Sequence, residues 1–278
     1  MAKAAVLQDR TTDAGTGVTP ELLTLVSKVP EVTLVFWIIK ILCTTIGETG
    51  GDAVTMSFFG ETTENANPYG YLIGTAIFGV IFFIAVGMQI RAAKFHPFLH
   101  WFTIIATTTV GTTLADYLTR SNGLGYTLGS SILLICVIAS LIIWKLVTGT
   151  IDVASVRTSR SEIFYWVTIM FSQTLGTALG DWFADTADLG YLGAAGVFGS
   201  GLLALVLFYY YSDISRAVLF WIAFILTRPL GAVVGDFLDK PHEDGGLELS
   251  RYLATAILLV LIIGAILLFP QKPAEESH

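Results

Sequence analysis

Charged side chains are scarce in this sequence. They account for 13% of its 278 residues, against roughly 25% in an average soluble domain, and the mean hydropathy is +0.72. So little charge and so much apolar surface argue against a water-soluble domain. The composition predicts an integral membrane protein with the lipid bilayer as its partner.

Several chemical signatures are missing as well. The net charge of −7 comes without a run of basic residues, which argues against a nucleic-acid partner. The two cysteines, Cys43 and Cys136, lie in apolar segments and indicate small core residues, not a disulfide or a metal pair. We find no nucleophile–base pair, phosphate-binding loop or strong metal-ligand spacing, so we expect neither enzymatic activity nor a bound cofactor.

Long apolar runs, in contrast, are abundant. Each run is long enough to cross a hydrocarbon core of about 30 Å at about 1.5 Å per residue. They predict an all-α membrane protein with eight transmembrane helices and short loops. The runs cover residues 31–52, 69–90, 97–118, 124–147, 162–183, 189–211, 214–237 and 250–269.

The distribution of lysine and arginine indicates the orientation. If residues 1–29 and 271–278 are cytosolic tails, ten basic residues lie on the cytoplasmic side, and only Arg120, Lys240 and Arg251 flank the outer side. By the positive-inside rule we expect a cell inner (plasma) membrane protein with both termini in the cytoplasm. The outer loops carry acidic residues that would attract cations: Glu61, Glu64, Asp185, Asp188, Asp239, Glu243, Asp244 and Glu248.

One motif recurs four times, a tryptophan followed fifteen residues later by an aspartate inside an apolar helix. A glycine stands five residues before each aspartate, and a small residue directly before it. The Asp-to-Asp intervals of 64, 65 and 55 residues indicate internal duplication. The pairs are Trp37/Asp52, Trp101/Asp116, Trp166/Asp181 and Trp221/Asp236, and the small residues are Gly47, Gly51, Gly111, Ala115, Gly176, Gly180, Gly231 and Gly235.

Each repeat contains a polar-striped helix, a short outer loop and a return helix, so every copy has the same orientation. We therefore predict four parallel repeats around a pseudo-symmetry axis along the membrane normal, with the aspartates at one depth. The glycines among these small residues should allow close helix packing. The tryptophans should anchor at the membrane interface, about 22 Å from the aspartates. The predicted repeats cover residues 30–90, 91–147, 148–211 and 212–270.

Counting back from each aspartate in steps of four follows one face of the helix. This face is polar, and its residues differ between the copies. The candidate substrate or ion ligands are the four aspartates with Glu48, Thr44, Thr108, Thr112, Gln173 and Thr177, and the candidate counter-ions are Lys40 and Arg228.

The acidic groups outnumber the basic ones on this face. With five carboxylates and two cations, several carboxylates must be protonated or offset by a bound cation. Their oxygen ligands favour a hard cation such as Mg²⁺, Ca²⁺ or Mn²⁺. The candidate metal ligands are Glu48, Asp52, Asp116, Asp181 and Asp236.

The four repeats with their tryptophans resemble a family of uncharacterised bacterial integral membrane proteins. That family is a domain of unknown function with four tandem two-helix repeats, each with a marked tryptophan. The resemblance covers roughly residues 28–270 and implies the architecture without an activity. The segment Glu48-Thr49-Gly50-Gly51-Asp52 is also similar, with one extra residue, to the Glu-x-Gly-Asp signature of small exchangers that move calcium and manganese against protons.

We therefore expect a secondary transporter, an exporter of a divalent metal cation with Mn²⁺ as the first candidate, coupled to protons at the aspartate cluster. In this scheme the metal is the substrate and not a cofactor. A cation channel, a transporter of a small cationic organic solute and a non-transporting membrane scaffold or regulator remain as alternatives. The oligomeric state is left open.

Overall fold

The computed structural model describes residues 27–60 and 69–274. In these ranges the chain forms eight long α-helices, one in each predicted apolar run. Most of the expected tails and the expected outer-loop acids Glu61 and Glu64 lie outside the described residues. The helices are α1 (Leu34–Asp52), α2 (Gly70–Arg91), α3 (Pro97–Asp116), α4 (Gly125–Thr148), α5 (Ser159–Asp181), α6 (Gly190–Tyr211), α7 (Arg216–Asp239) and α8 (Arg251–Leu268).

Six of these helices are long and apolar enough to cross a membrane. The expected number of eight long helices is therefore confirmed for the described residues, but two of the eight are less apolar than expected. The two that fall short are α3 and α5, because they are rich in polar residues such as Thr107, Thr108 and Gln173. These polar side chains are buried inside the protein, so they do not lie on its outer surface.

The first helices of the four repeats form a closed ring. In this ring α1 packs against α3 and α7, and α5 packs against the same two helices from the other side. The second helix of each repeat packs outside the ring against the first helix of the next repeat: α2 on α3, α4 on α5, α6 on α7 and α8 on α1. The last repeat thus closes onto the first.

The outer helices present apolar side chains to the surroundings. Phe83, Leu146, Leu203 and Val260, one from each outer helix, are all more than half exposed. The core lies within the ring and between the ring and the outer helices. A surface of this kind matches a lipid environment.

The repeat glycines fix the register of the ring helices. In each ring helix, the glycine five residues before the repeat aspartate contacts a residue of the next ring helix. That residue stands eight places before the aspartate of its own helix. A Cβ on Gly47 would stand 2.1 Å from Oγ1 of Thr108, and a Cβ on Gly231 would stand 2.0 Å from Oγ1 of Thr44. The equivalent neighbours of Gly111 and Gly176 are Gln173 and Arg228.

The three glycines that stand directly before an aspartate make a second set of close contacts, one turn further along. A Cβ on Gly51 would lie 3.2 Å from Cγ2 of Thr112, and a Cβ on Gly235 would lie 2.7 Å from Cβ of Glu48. Gly180 faces Ala232 in the same way. Because the register is the same at these junctions, residues with the same place in the repeat lie in common layers across the ring.

Candidate functional site

The four repeat aspartates lie at one end of the ring, which we call the aspartate end. Each is at most 3% exposed. Three of the ring helices pass directly after their aspartate into a π-helical turn, at Ala53–Phe58, Tyr117–Ser121 and Trp182–Thr186. Such turns are frequent at functional sites.

Two basic side chains join the aspartates in pairs. Nζ of Lys240 lies 2.7 Å from Oδ2 of Asp52 and 3.1 Å from Oδ1 of Asp236. In the other half of the ring, Arg120 contacts the remaining two aspartates. Its Nε lies 3.0 Å from Oδ1 of Asp116 and its Nη2 lies 3.2 Å from Oδ2 of Asp181.

These two basic residues change the charge balance expected from the sequence, because they add two positive charges to the five carboxylates and two cations counted there. Arg120 and Lys240 were expected to flank the outer side, and the only expected partners of the carboxylates were Lys40 and Arg228. Each bridging residue stands four places after the aspartate of its own repeat, and this spacing puts both side chains on one helix face. The i,i+4 spacing is the sequence signal that identifies them.

Lys240 is held in its charged form by this arrangement. Burial by itself would lower the pKa of Lys240, but the negative charges of Asp52 and Asp236 outweigh burial and raise that pKa well above its usual value. The ammonium therefore acts as a built-in counter-ion for the two carboxylates.

A second layer lies one helical turn below the aspartates. Nη1 of Arg228 lies 3.0 Å from Oε2 of Glu48, and the same guanidinium donates hydrogen bonds to Oγ1 of Thr112 and Oγ1 of Thr177. The Thr112 hydroxyl also lies 3.2 Å from Oε2 of Glu48. Three predicted ligands thus surround one predicted counter-ion.

The third layer combines Thr44, Thr108, Gln173 and Arg228, all fully buried. The two threonines donate to backbone carbonyls of the neighbouring ring helix: Thr44 to Thr227 at 3.2 Å and Thr108 to Cys43 at 3.0 Å. These threonines therefore join helices, whereas Thr112 and Thr177 reach Glu48 and Arg228.

Lys40 lies in a fourth layer, two turns below Glu48. It shares this layer with Ile104, Ile169 and Phe224, and all four side chains are fully buried. Nζ of Lys40 stands 4.1 Å from the ring centroid of Phe224. The expected role of Lys40 as a counter-ion at the carboxylates is corrected, because its Nζ makes no ion pair or hydrogen bond with a described residue.

The end opposite the aspartates is closed by aromatic rings. In each repeat the aromatic residue before the repeat tryptophan packs on the tryptophan of the next repeat. The centroid distances are 5.4 Å for Phe36–Trp101, 5.8 Å for His100–Trp166, 6.1 Å for Tyr165–Trp221 and 5.6 Å for Phe220–Trp37.

This aromatic layer corrects the role expected for the tryptophans. Trp101, Trp166 and Trp221 are at most 2% exposed, so they do not face the membrane interface as anchors. Only Trp37 is partly exposed. The signal that sequence reasoning missed is the aromatic dipeptide in every repeat: Phe36-Trp37, His100-Trp101, Tyr165-Trp166 and Phe220-Trp221.

Three of the five candidate metal ligands come together. One carboxylate oxygen each of Glu48, Asp52 and Asp236 lie within 4.8 Å of one another, and all three residues are buried. Asp116 and Asp181 belong to the half that Arg120 bridges. The three-carboxylate group has the oxygen ligands that hard divalent cations prefer.

A crevice of about 600 Å³ lies elsewhere, between α1, α6 and α7. Its lining is mostly apolar and includes Trp37, Tyr209 and Phe220. None of the four repeat aspartates lines it. The crevice is therefore separate from the carboxylate site.

Comparisons with known proteins identify the repeats. A search of curated proteins and of solved structures finds no match. A family model described as Repeat of Unknown Function (DUF347) matches the chain four times, at residues 35–95, 99–150, 164–215 and 219–270. The matches cover most of the chain and confirm the resemblance seen in the sequence, so the protein belongs to the DUF347 repeat family.

Proposed function

We propose that the protein is a secondary transporter that exchanges a divalent metal cation, with Mn²⁺ as the first candidate, for protons across the bacterial inner membrane. The observation that carries the proposal is the buried group of Glu48, Asp52 and Asp236, whose oxygens lie within 4.8 Å of one another. Buried carboxylates are costly in a membrane protein and are a functional hypothesis by default.

The proposal includes all eight helices as membrane spans, with the ring axis along the membrane normal. Helices α3 and α5 have 20 and 23 residues, which is enough for a core of about 30 Å. Both are ring helices, and their polar side chains face other helices. The apolar outer helices support the same placement.

The proposal also keeps both termini on the cytoplasmic side. The two ends of the described chain lie together, since the amide of Glu31 donates to the carbonyl of Lys272 at 2.8 Å. The positive-inside rule places this end in the cytoplasm. The aspartate end then faces the outside.

Lys240 supplies a physical basis for exchange. A metal ion bound by Glu48, Asp52 and Asp236 would take the place of the ammonium between Asp52 and Asp236. When the metal leaves, the ammonium returns, so the carboxylates are never left without a positive partner. With the metal in its place, the Lys240 ammonium would lose both negative partners, so it would give up a proton as the metal binds and regain one as the metal leaves, which couples the two movements.

The layers below the site favour a carrier over an open channel. The Arg228–Glu48 ion pair, the Lys40 ammonium and the aromatic layer follow one another along the ring axis. One of these layers presents the basic side chain of Lys40, whose positive charge would repel a permeating cation. A carrier would rearrange these layers during its cycle.

Metal flux into proteoliposomes tests the proposal. Purified protein would be reconstituted with a metal-sensitive dye inside, and Mn²⁺ uptake would be followed with and without a pH gradient. We expect uptake that depends on the gradient and is lost in the Asp52→Asn/Asp236→Asn double variant. The control is Asp185→Asn, an exposed aspartate in the same region, and unchanged uptake in the double variant would contradict the proposal.

A further inference from the structure

Several fully buried polar side chains of the ring helices have no hydrogen-bond partner among the described residues. Two of them are Lys40, through Nζ, and Gln173, through both atoms of its amide. Nε of Arg228 is also buried and has no hydrogen-bond partner among the described residues. A buried polar group without a partner costs several kcal/mol in hydrocarbon, so a ligand that satisfies these three groups together would stabilise the folded protein.

The three groups belong to three different helices of the ring. Lys40 belongs to α1, Gln173 to α5 on the opposite side of the ring, and Arg228 to α7 between them. Gln173 and Arg228 share the third layer. Nζ of Lys40 stands 4.1 Å from the ring of Phe224, which lies one turn before Arg228 on the same face of α7.

When Lys40 is protonated, this part of the ring carries one unmatched positive charge. Arg228 is neutralised by Glu48, at 3.0 Å. Lys40 has no carboxylate partner in the described part of the chain, and its contact with an aromatic face is a weaker interaction than a charge pair. The repeat aspartates lie three turns away from Lys40, beyond the Arg228–Glu48 layer.

The available hydrogen-bonding groups are mostly donors. They are the three N–H groups of the Lys40 ammonium, the two of the Gln173 amide and Nε–H of Arg228. A net positive charge surrounded by donors and shielded from water is complementary to an anion. A metal cation would be repelled by the same groups.

We propose that a small monovalent inorganic anion, of the size and charge of chloride, binds between the third and fourth layers, held by Lys40 and Gln173. The site is separate from the carboxylate group at the aspartate end. It does not depend on the proposed transport of a divalent cation, because it rests on a different set of side chains.

Thermal unfolding of the purified full-length protein in detergent tests this proposal. The midpoint would be measured in sodium gluconate at constant ionic strength while chloride or bromide replaces gluconate. Because a ligand that binds the folded state raises its stability in proportion to the logarithm of ligand concentration above Kd, we expect a midpoint that begins to rise near Kd. Coincident midpoints in gluconate and chloride would overturn the proposal.

Two variants locate the effect. Lys40→Met removes the charge and should abolish the rise of the unfolding midpoint with chloride. Gln173→Leu keeps a side chain of similar size and should raise, by at least tenfold, the chloride concentration at which the midpoint begins to rise. The control is Lys145→Met, an exposed lysine, which should respond as the wild type does. An undiminished response in Gln173→Leu would contradict the site.

A direct observation covers the case in which Lys40→Met does not fold. Crystals of the wild-type protein grown in bromide should show an anomalous-scattering peak beside Nζ of Lys40. Well-diffracting bromide crystals without a peak there would overturn the proposal, whatever the variants show.

Discussion

Nζ of Lys240 lies 2.7 Å from Oδ2 of Asp52, and this contact joins the last repeat to the first. Arg120 makes the equivalent contact between the second and third repeats, with Nη2 at 3.2 Å from Oδ2 of Asp181. Glu48 adds a third carboxylate only to the half that contains Lys240. The four-repeat ring therefore has two unlike halves, one bridged by arginine and one by lysine beside three carboxylates.

The difference between the two bridges predicts different roles. A guanidinium presents several donors in a rigid fork and bridges carboxylates more firmly than an ammonium. We expect Lys240→Arg to slow Mn²⁺ uptake into proteoliposomes by about tenfold or more, which corresponds to about 1.4 kcal/mol of stronger competition with the metal. Arg120→Lys, the matched change in the other half, should leave uptake within about twofold of wild type. A larger loss in Arg120→Lys than in Lys240→Arg would contradict the assignment of the exchange site.

Removal of the lysine charge should have a second measurable effect. Lys240→Gln leaves Asp52 and Asp236 without their shared cation, and loss of one member of a buried ion pair costs about 3 to 5 kcal/mol of stability. We expect a lower thermal midpoint that millimolar Mn²⁺ partly restores, because the metal replaces the missing charge. Lys272→Gln, at an exposed position, should change neither the thermal midpoint nor its response to Mn²⁺. If Mn²⁺ stabilises Lys240→Gln no more than the wild type, the ammonium and the metal do not compete for these carboxylates.

The sequence predicts much of the fold because the fold is repetitive. The spacing of Trp, Gly and Asp identifies the four copies, and the glycines of this motif lie at the close helix contacts. The carboxylate group is only partly predictable, since Asp52 and Asp236 meet through ring closure between the first and last repeats. Lys240 was missed because a charged residue at a helix end is usually solvated, and only the closed ring buries it. The location predicted for the tryptophans is wrong because an aromatic residue near a helix end suits a membrane interface and a buried layer equally well.

The glycine contacts should be the least tolerant positions of the ring. In Gly47→Ala the new Cβ would stand 2.1 Å from Oγ1 of Thr108, so helices α1 and α3 must separate. Overpacking of this kind costs about 1 to 3 kcal/mol or more, and we expect the thermal midpoint to fall accordingly. Gly199→Ala is the matched control in α6, because a Cβ there meets no atom within 4 Å. Equal midpoints for the two variants would show that the ring helices do not pack in this register.

The aromatic layer should behave as a set of coupled pairs between repeats. The rings of Phe36 and Trp101 are 5.4 Å apart and both side chains are buried, so Trp101→Ala should cost about 3 to 5 kcal/mol of unfolding free energy. Trp182→Ala is the control, since that tryptophan is only partly buried and should cost less. A double-mutant cycle with Phe36→Leu and Trp101→Leu, measured by denaturant unfolding in mixed micelles, should show a coupling of about 0.5 to 1.5 kcal/mol. The same coupling is expected for Phe220 and Trp37, which occupy the equivalent places at the junction of the last and first repeats. A coupling at the first junction without one at the second would mean that the ring does not close through its aromatic layer.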